Sequence, residues 1–331
     1  MEILNVTTIF SNARQRLVDK AYRRMAMIHT GALVALALVV TMFQFVLAEG
    51  IGNTGGLSGM GRRAMLETIQ TILQGANTVL QPFWNLGFLF VALQWYRGRD
   101  PHERELLTGF RRIGPCIGLL VNRMLLSIFA IILALNIGSV LFAGQLTEMM
   151  GPLDSTEAMY AYMESMTNAD LLNMGKALLP MLIASGVICL VLLVPLLYRF
   201  RLAEYVILDN KGMRGFGAMV MSAALLHRRC WQLVKVDLRF WWYYGLKILC
   251  TVLCYLDSIL LMAGVELPVG ENAAYILAYA LYLAALFGVE VAFRPMVDTV
   301  YAGVYEEVKA MGPVMKKPVP VKPEQMPWNE E

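Results

Sequence analysis

Three charged residues sit inside long apolar runs of this chain: Arg123, Lys247 and Glu290. A charge at membrane depth costs about 2.5–3.5 kcal/mol on insertion scales, so each needs a partner or a wet cavity. Two chemistries follow. Either Glu290 pairs with Lys247 or Arg123 and ties helices together, or the surplus positive charge lines a pocket for an anionic headgroup or substrate. A second set, Asn77, Gln81 and Asn85, recurs every four residues and makes one polar column on a helix. Asp257 falls seven residues from Cys250 on another helix face, with Cys254 and Ser258 beside it. Facing columns would form a hydrogen-bonded centre for a transporter or channel. They would equally hold helices together, since interhelical bonds of this kind average about 0.6 kcal/mol.

No catalytic constellation accompanies these residues. His29, His102 and His227 are far apart, and His102-Glu103 lacks the second histidine of HExxH. There is no nucleophile elbow and no Walker loop. Gly50-Ile51-Gly52-Asn53-Thr54-Gly55 matches GxGxxG, but no strand precedes it, so it reads as part of a flexible loop. The five cysteines, Cys116, Cys189, Cys230, Cys250 and Cys254, contain no CxxC pair and read as buried thiols. The expectation is a non-enzymatic protein with no cofactor and no metal.

The elements that must position these residues follow from composition. Charged residues make up 16% of the chain, against about 25% in a soluble domain. The apolar share is 58%, with 22 Met and a mean hydropathy of +0.56. A spanning helix needs roughly 20 apolar residues. Six stretches qualify, at residues 25–48, 76–96, 113–143, 177–198, 240–264 and 273–293. The second is the weakest, because Asn77, Gln81, Pro82 and Asn85 interrupt it. The fold class expected is all-α: a polytopic membrane bundle of six transmembrane helices.

Basic residues orient the bundle, since Lys- and Arg-rich loops stay in the cytoplasm. Of 28 Lys and Arg, 23 fall on one side of the six stretches and three, Arg62, Arg63 and Lys176, on the other. Both termini are therefore expected in the cytoplasm, and the inner membrane is the expected location. A basic leader followed by Val46-Leu47-Ala48 resembles a signal peptide. The apolar run is long enough to span, so an uncut anchor is the expected outcome. Three parts follow: a basic leader helix (1–24), the membrane domain (25–310) and a Pro/Lys-rich tail (311–331) with nothing to bury. The outer segment at 145–175 carries acidic residues, and Ser155 or Thr156 is placed to cap a short helix. Ala280, Ala284 and Gly288 form a small-residue stripe, read as a close-packing surface.

The inner segment at 199–239 is the richest. Asp209-Asn210-Lys211-Gly212 reads as a turn. After it, Met213, Phe216, Val220 and Ala224 recur at helical spacing. Beyond Arg228 and Arg229, Trp231 and Lys235 lead into Trp241 and Trp242, the mixture found at membrane–water boundaries. An interfacial helix on the inner leaflet is expected before the fifth span. It either contacts anionic lipid or simply anchors the bundle. The partners expected are membrane lipids or a membrane protein; a net charge of +3 gives no sign of nucleic-acid binding.

This segment also carries a resemblance. Tyr205 to Asn210, then Met221-Ser222, then Trp231 to Phe240 (Asp237 among them) resemble an uncharacterised bacterial integral-membrane family catalogued as domain of unknown function 975. Tyr301-Ala302-Gly303-Val304-Tyr305-Glu306-Glu307 looks similar to the tyrosine-containing helix that closes that family. This chain departs from the pattern at Leu226-His227-Arg228-Arg229, where members usually carry a lysine–glycine pair. The resemblance implies a six-helix membrane fold and no settled reaction. Through its distant similarity to the membrane domains of some glycerophosphodiester phosphodiesterases, it implies lipid phosphodiester chemistry as a third reading. The sequence favours a non-enzymatic protein binding lipid or a partner through its inner face. A small-solute or lipid transporter is the alternative, although no internal repeat is evident.

Overall fold

The computed structural model describes residues 4–17, 19–52, 57–144, 168–256 and 271–312. It is all-helical, at 88% helix with no strand among the described residues. In chain order the helices are α1 (Val6–Arg16), α2 (Lys20–Gly52) and α3 (Leu57–Tyr96). A 3-10 turn (Glu103–Leu107) leads into α4 (Thr108–Arg111) and then α5 (Ile113–Leu141) and α6 (Asn168–Arg199). Four shorter helices follow: α7 (Ala203–Asp209), α8 (Gly215–Leu225), α9 (Cys230–Arg239) and α10 (Trp241–Cys254). The last, α11 (Glu271–Met311), is the longest.

Among the described residues, four helical stretches are long and apolar enough to cross a membrane: Lys20–Phe43, Ile113–Leu141, Leu178–Asp209 and Leu277–Met311. The other two expected spans do not qualify for separate reasons. The described part of α10 is 14 residues. The end of α3 is interrupted by Gln81, Pro82 and Asn85, which lower its hydropathy, and it buries Phe88, Val91, Ala92 and Leu93 against the rest of the protein.

The flexible loop expected around Gly50–Gly55 is flanked and partly replaced by helix. α2 continues to Gly52 and α3 starts at Leu57, so the GxGxxG glycines open no loop before Asn53. The acidic segment at 145–167 and the tail from 313 lie outside the described residues.

Packing is concentrated at one end. The spans carry exposed Val39, Phe129, Val140, Leu190 and Val191. The dense core is built from α1, the end of α3, the start of α5, α7, α8, α9, the start of α10 and the second half of α11. At about 1.5 Å per residue, the 41 residues of α11 extend roughly 60 Å, twice the thickness of a bilayer core. Its first half presents Leu277 and Leu281 outward, while Val297 to Val308 supply buried residues. What the sequence divides into a sixth span and a closing tyrosine helix is thus one rod. We call the buried end the cap.

Each cap helix is tied in by side chains. α1 begins at Asn5, whose Oδ1 accepts from the Thr8 N–H, while the Asn5 N–H donates to Glu307 at 2.8 Å. Ile9 and Ala13 are buried, and the Phe10 ring stacks on Phe240 at 5.1 Å. The leader is therefore part of the cap. Ser222 of α8 donates to the Arg199 carbonyl at 3.0 Å, closing the end of α6. α8 is apolar all round: Ala218, Met219 and Leu225 face the core, and Phe216 and Val220 face outward. The helical spacing read from the sequence picked out the outward face.

Close approaches need glycine at a few crossings. A Cβ on Gly87 would overlap the Leu106 carbonyl oxygen, and one on Gly109 the Phe83 carbonyl oxygen. Gly87→Ala is expected to cost about 1–3 kcal/mol, because backbone and not a flexible side chain must move. Gly186, with open space around it, is the control. Thermal melts in detergent should show Gly87→Ala melting lower and Gly186→Ala equal or higher.

The small-residue stripe expected at Ala280, Ala284 and Gly288 is exposed, and nothing lies within 4 Å of a Cβ placed on Gly288. The stripe that packs is Ala130, Ala134 and Gly138 on α5, buried against α6, where a Cβ on Gly138 would strike Ser185.

Candidate functional site

Three polar clusters lie in and beside the cap. The first centres on Asp209, at the end of α7. Its Oδ1 accepts from Arg97 at 2.7 Å, and its Oδ2 accepts from the Tyr305 hydroxyl at 3.0 Å and from Lys309. Arg97 also donates through Nε to Glu306 at 2.8 Å. Burial opposes the Arg97 charge. The bonds to Asp209 and Glu306 outweigh it and hold the pKa above the ordinary guanidinium value. A carboxylate at a helix C-terminus is unfavourable by itself. Arg112 offsets it by donating to the Ile207 and Leu208 carbonyls at 2.6 and 2.8 Å. Asn210 beside it bonds back to the Val206 carbonyl.

The second cluster contains Glu290. Lys247 reaches it at 2.7 Å, Arg294 at 3.4 Å and the Tyr243 hydroxyl at 3.2 Å. Arg294 also donates to Asp298 at 3.2 Å and to Asn85 at 2.9 Å. Arg123 is elsewhere: it pairs with Glu204 and donates to the Phe200 carbonyl at 2.8 Å. Of the two chemistries open for this trio, the geometry pairs Glu290 with Lys247, and among the described residues the cluster has no surplus positive charge. Lys247 and Arg294 face Glu290 and Asp298, and Arg123 faces Glu204, so each group of charges is balanced. Asn85, expected in a polar column with Asn77 and Gln81, instead joins this network through Arg294. Gln81 has a partner of its own. The Asn77 side chain and Asp257 lie outside the described residues, so the facing columns do too.

The third cluster surrounds Asp237 of α9. Its Oδ2 accepts from the Tyr198 hydroxyl at 2.6 Å, and its Oδ1 from Tyr244 at 2.9 Å and from Tyr301. Three helices and the end of α6 thereby converge on one carboxylate. The Arg201 guanidinium stands 4.7 Å above the Tyr301 ring.

The remaining interfacial residues divide by exposure. Ser222 and Arg229 are buried, and Arg229 donates to the Leu225 and Gly312 carbonyls. Arg228, Trp231 and Lys235 are exposed. Arg228 has φ +64°, a left-handed conformation that costs an L-residue about 1–2 kcal/mol. Arg228→Gly is expected to stabilise by about 0.5–1 kcal/mol once the extra freedom of glycine in the unfolded chain is subtracted. A rise in melting temperature checks it, and a fall would mean that Arg228 makes a compensating contact.

Several residues were missed by the sequence reading. Arg294 and Asp298 follow Glu290 at intervals of four on one helix face, as Lys309 follows Tyr305. Arg294 lies one residue beyond the expected span at 273–293, so the column crosses the boundary of that span. Tyr198, Tyr244 and Tyr301 carry no local signal pointing to Asp237.

Fold and clusters together define an all-helical protein whose apolar helices are compatible with a membrane. No family model, curated protein or solved structure matches this chain.

Proposed function

We propose that this is a non-enzymatic, six-span protein of the inner membrane, with both termini in the cytoplasm, and that its cap binds lipid or a protein partner at the inner face. The observation that carries the reading is the outer surface of α9 and the start of α10. Trp231, Leu238 and Trp241 are 60–71% exposed there, beside exposed Arg228, Lys235 and Arg239. Aromatic and cationic side chains together suit the headgroup zone, where rings lie at the interface and cations meet phosphates. The 23 basic residues on the same side support the orientation. Kinship with domain of unknown function 975 is part of this proposal, supported by the left-handed Arg228 in the stretch where that family usually has a glycine.

A single cysteine placed at Arg228 in a cysteine-free background tests the orientation. An impermeant thiol reagent should label it in inverted vesicles and leave it unlabelled in right-side-out ones; the reverse would overturn the topology. Mass spectrometry of what co-purifies tests the binding. Trp231→Ala with Trp241→Ala should reduce the lipid or protein retained, and unchanged retention would sink the role of this surface. The balanced Glu290 cluster offers no unpaired charge for a transported ion, so the transporter reading gains no support from it.

A further inference from the structure

Between the end of α6, α9 and α10 lies a cleft of about 540 Å³, large enough for a phospholipid headgroup. Arg201 and Asp237 both line it, without forming an ion pair with each other. Among the described residues no carboxylate lies within ion-pair distance of Arg201, whose guanidinium stands over the Tyr301 ring. Its guanidinium donors are therefore available to a ligand, in a fork that matches phosphate oxygens. Asp237 has about four lone-pair positions, and three tyrosine hydroxyls occupy three of them. One position on Oδ2 remains. The cleft thus holds one cation and one anion, each able to accept a further partner of opposite charge.

We infer that this cleft binds a glycerophospholipid whose headgroup carries both a phosphate and a primary ammonium, with phosphate on Arg201 and ammonium on Asp237. The inference rests on the membrane reading above. Trp241 and Tyr244, also in the lining, add aromatic rings, and aromatic faces attract an ammonium. Leu197, Leu238 and Ile248 form the apolar wall and continue onto the exposed surfaces of α6 and α10, where acyl chains would run. A headgroup with net negative charge would meet the Asp237 carboxylate unrelieved, so the cleft disfavours it. A free phosphate would satisfy Arg201 but leave the apolar wall and Asp237 unmatched.

Native mass spectrometry of the delipidated full-length protein in detergent tests this with phosphatidylethanolamine, phosphatidylglycerol and inorganic phosphate. Phosphatidylethanolamine should be retained at least ten-fold better than phosphatidylglycerol, and inorganic phosphate should neither bind nor displace it. Arg201→Gln should lower retention at least ten-fold. Asp237→Asn should erase the preference between the two lipids while keeping lipid bound. Ile248→Trp narrows the cleft from a position 67% exposed, which keeps the variant foldable, and should also lower retention. Equal retention of the two lipids by the wild type, displacement by phosphate, or undiminished retention by Ile248→Trp would each overturn the proposal. Recovery of the wild type from the aqueous fraction without detergent would instead defeat the membrane reading beneath it.

Discussion

Asp209→Asn is expected to destabilise the protein by about 3 kcal/mol, seen as a lower melting temperature in detergent. Removing one partner of a buried ion pair costs about 3–5 kcal/mol, because the other charge is left without compensation. Asp209 is 11% exposed and Arg97 19%, so solvent screens their pair little. Lys309, at 47% exposed, can turn to water, and Arg97 keeps Glu306. Those two escapes place the effect at the lower end of the range. Asparagine preserves the size of the side chain but presents an amide N–H₂ in place of one acceptor. It would then meet Arg97 on one side, or Tyr305 and Lys309 on the other, with a donor against donors. Glu306→Gln should cost less than half as much, since Arg97 retains Asp209. A cycle with Arg97→Met isolates the coupling. If Asp209→Asn melts with the wild type, the cluster contributes nothing to holding α3, α7 and α11 together.

The helical class and the long apolar stretches were legible in the sequence, because a run of 20 apolar residues needs no tertiary information. The cap was not. Its contacts join residues hundreds of positions apart: Leu4 bonds to Gln232 and Asn5 to Glu307. No periodicity records such a pairing. Small-residue stripes show a different limit. Ala280, Ala284 and Gly288 have the same spacing as Ala130, Ala134 and Gly138, and only the arrival of α6 decides which stripe is packed. The end of α3 shows a third, since the sequence does not say which of its apolar side chains other helices will cover. That Glu290 needs a basic partner was legible from its apolar surroundings, with Lys247 and Arg123 both open as that partner. The choice between them was not, because the partner of Arg123 is Glu204, in the segment at 199–239 that the sequence places between two spans.

Glu290→Leu is the second large effect expected, at about 3–5 kcal/mol. Glu290 is buried, and its loss would leave Lys247 without its ion-pair partner and strip Arg294 of one of two carboxylates. Lys247→Met should cost much less, since Glu290 would keep Arg294 and the Tyr243 hydroxyl. The double variant Lys247→Met with Glu290→Leu should therefore be more stable than Glu290→Leu alone. It should still fall short of the wild type, because Arg294 would rest on Asp298 and Asn85 only. This ordering separates an adhesive cluster from a conducting one. In an adhesive cluster the melting temperature carries the whole effect, and Glu290→Gln, which keeps an acceptor for Tyr243 and Lys247, is milder than Glu290→Leu. In a transport path Glu290→Gln would melt near the wild type yet abolish solute flux in proteoliposomes. The balance of two cations against two carboxylates favours the first outcome, since no charge is left over to bind an ion and release it.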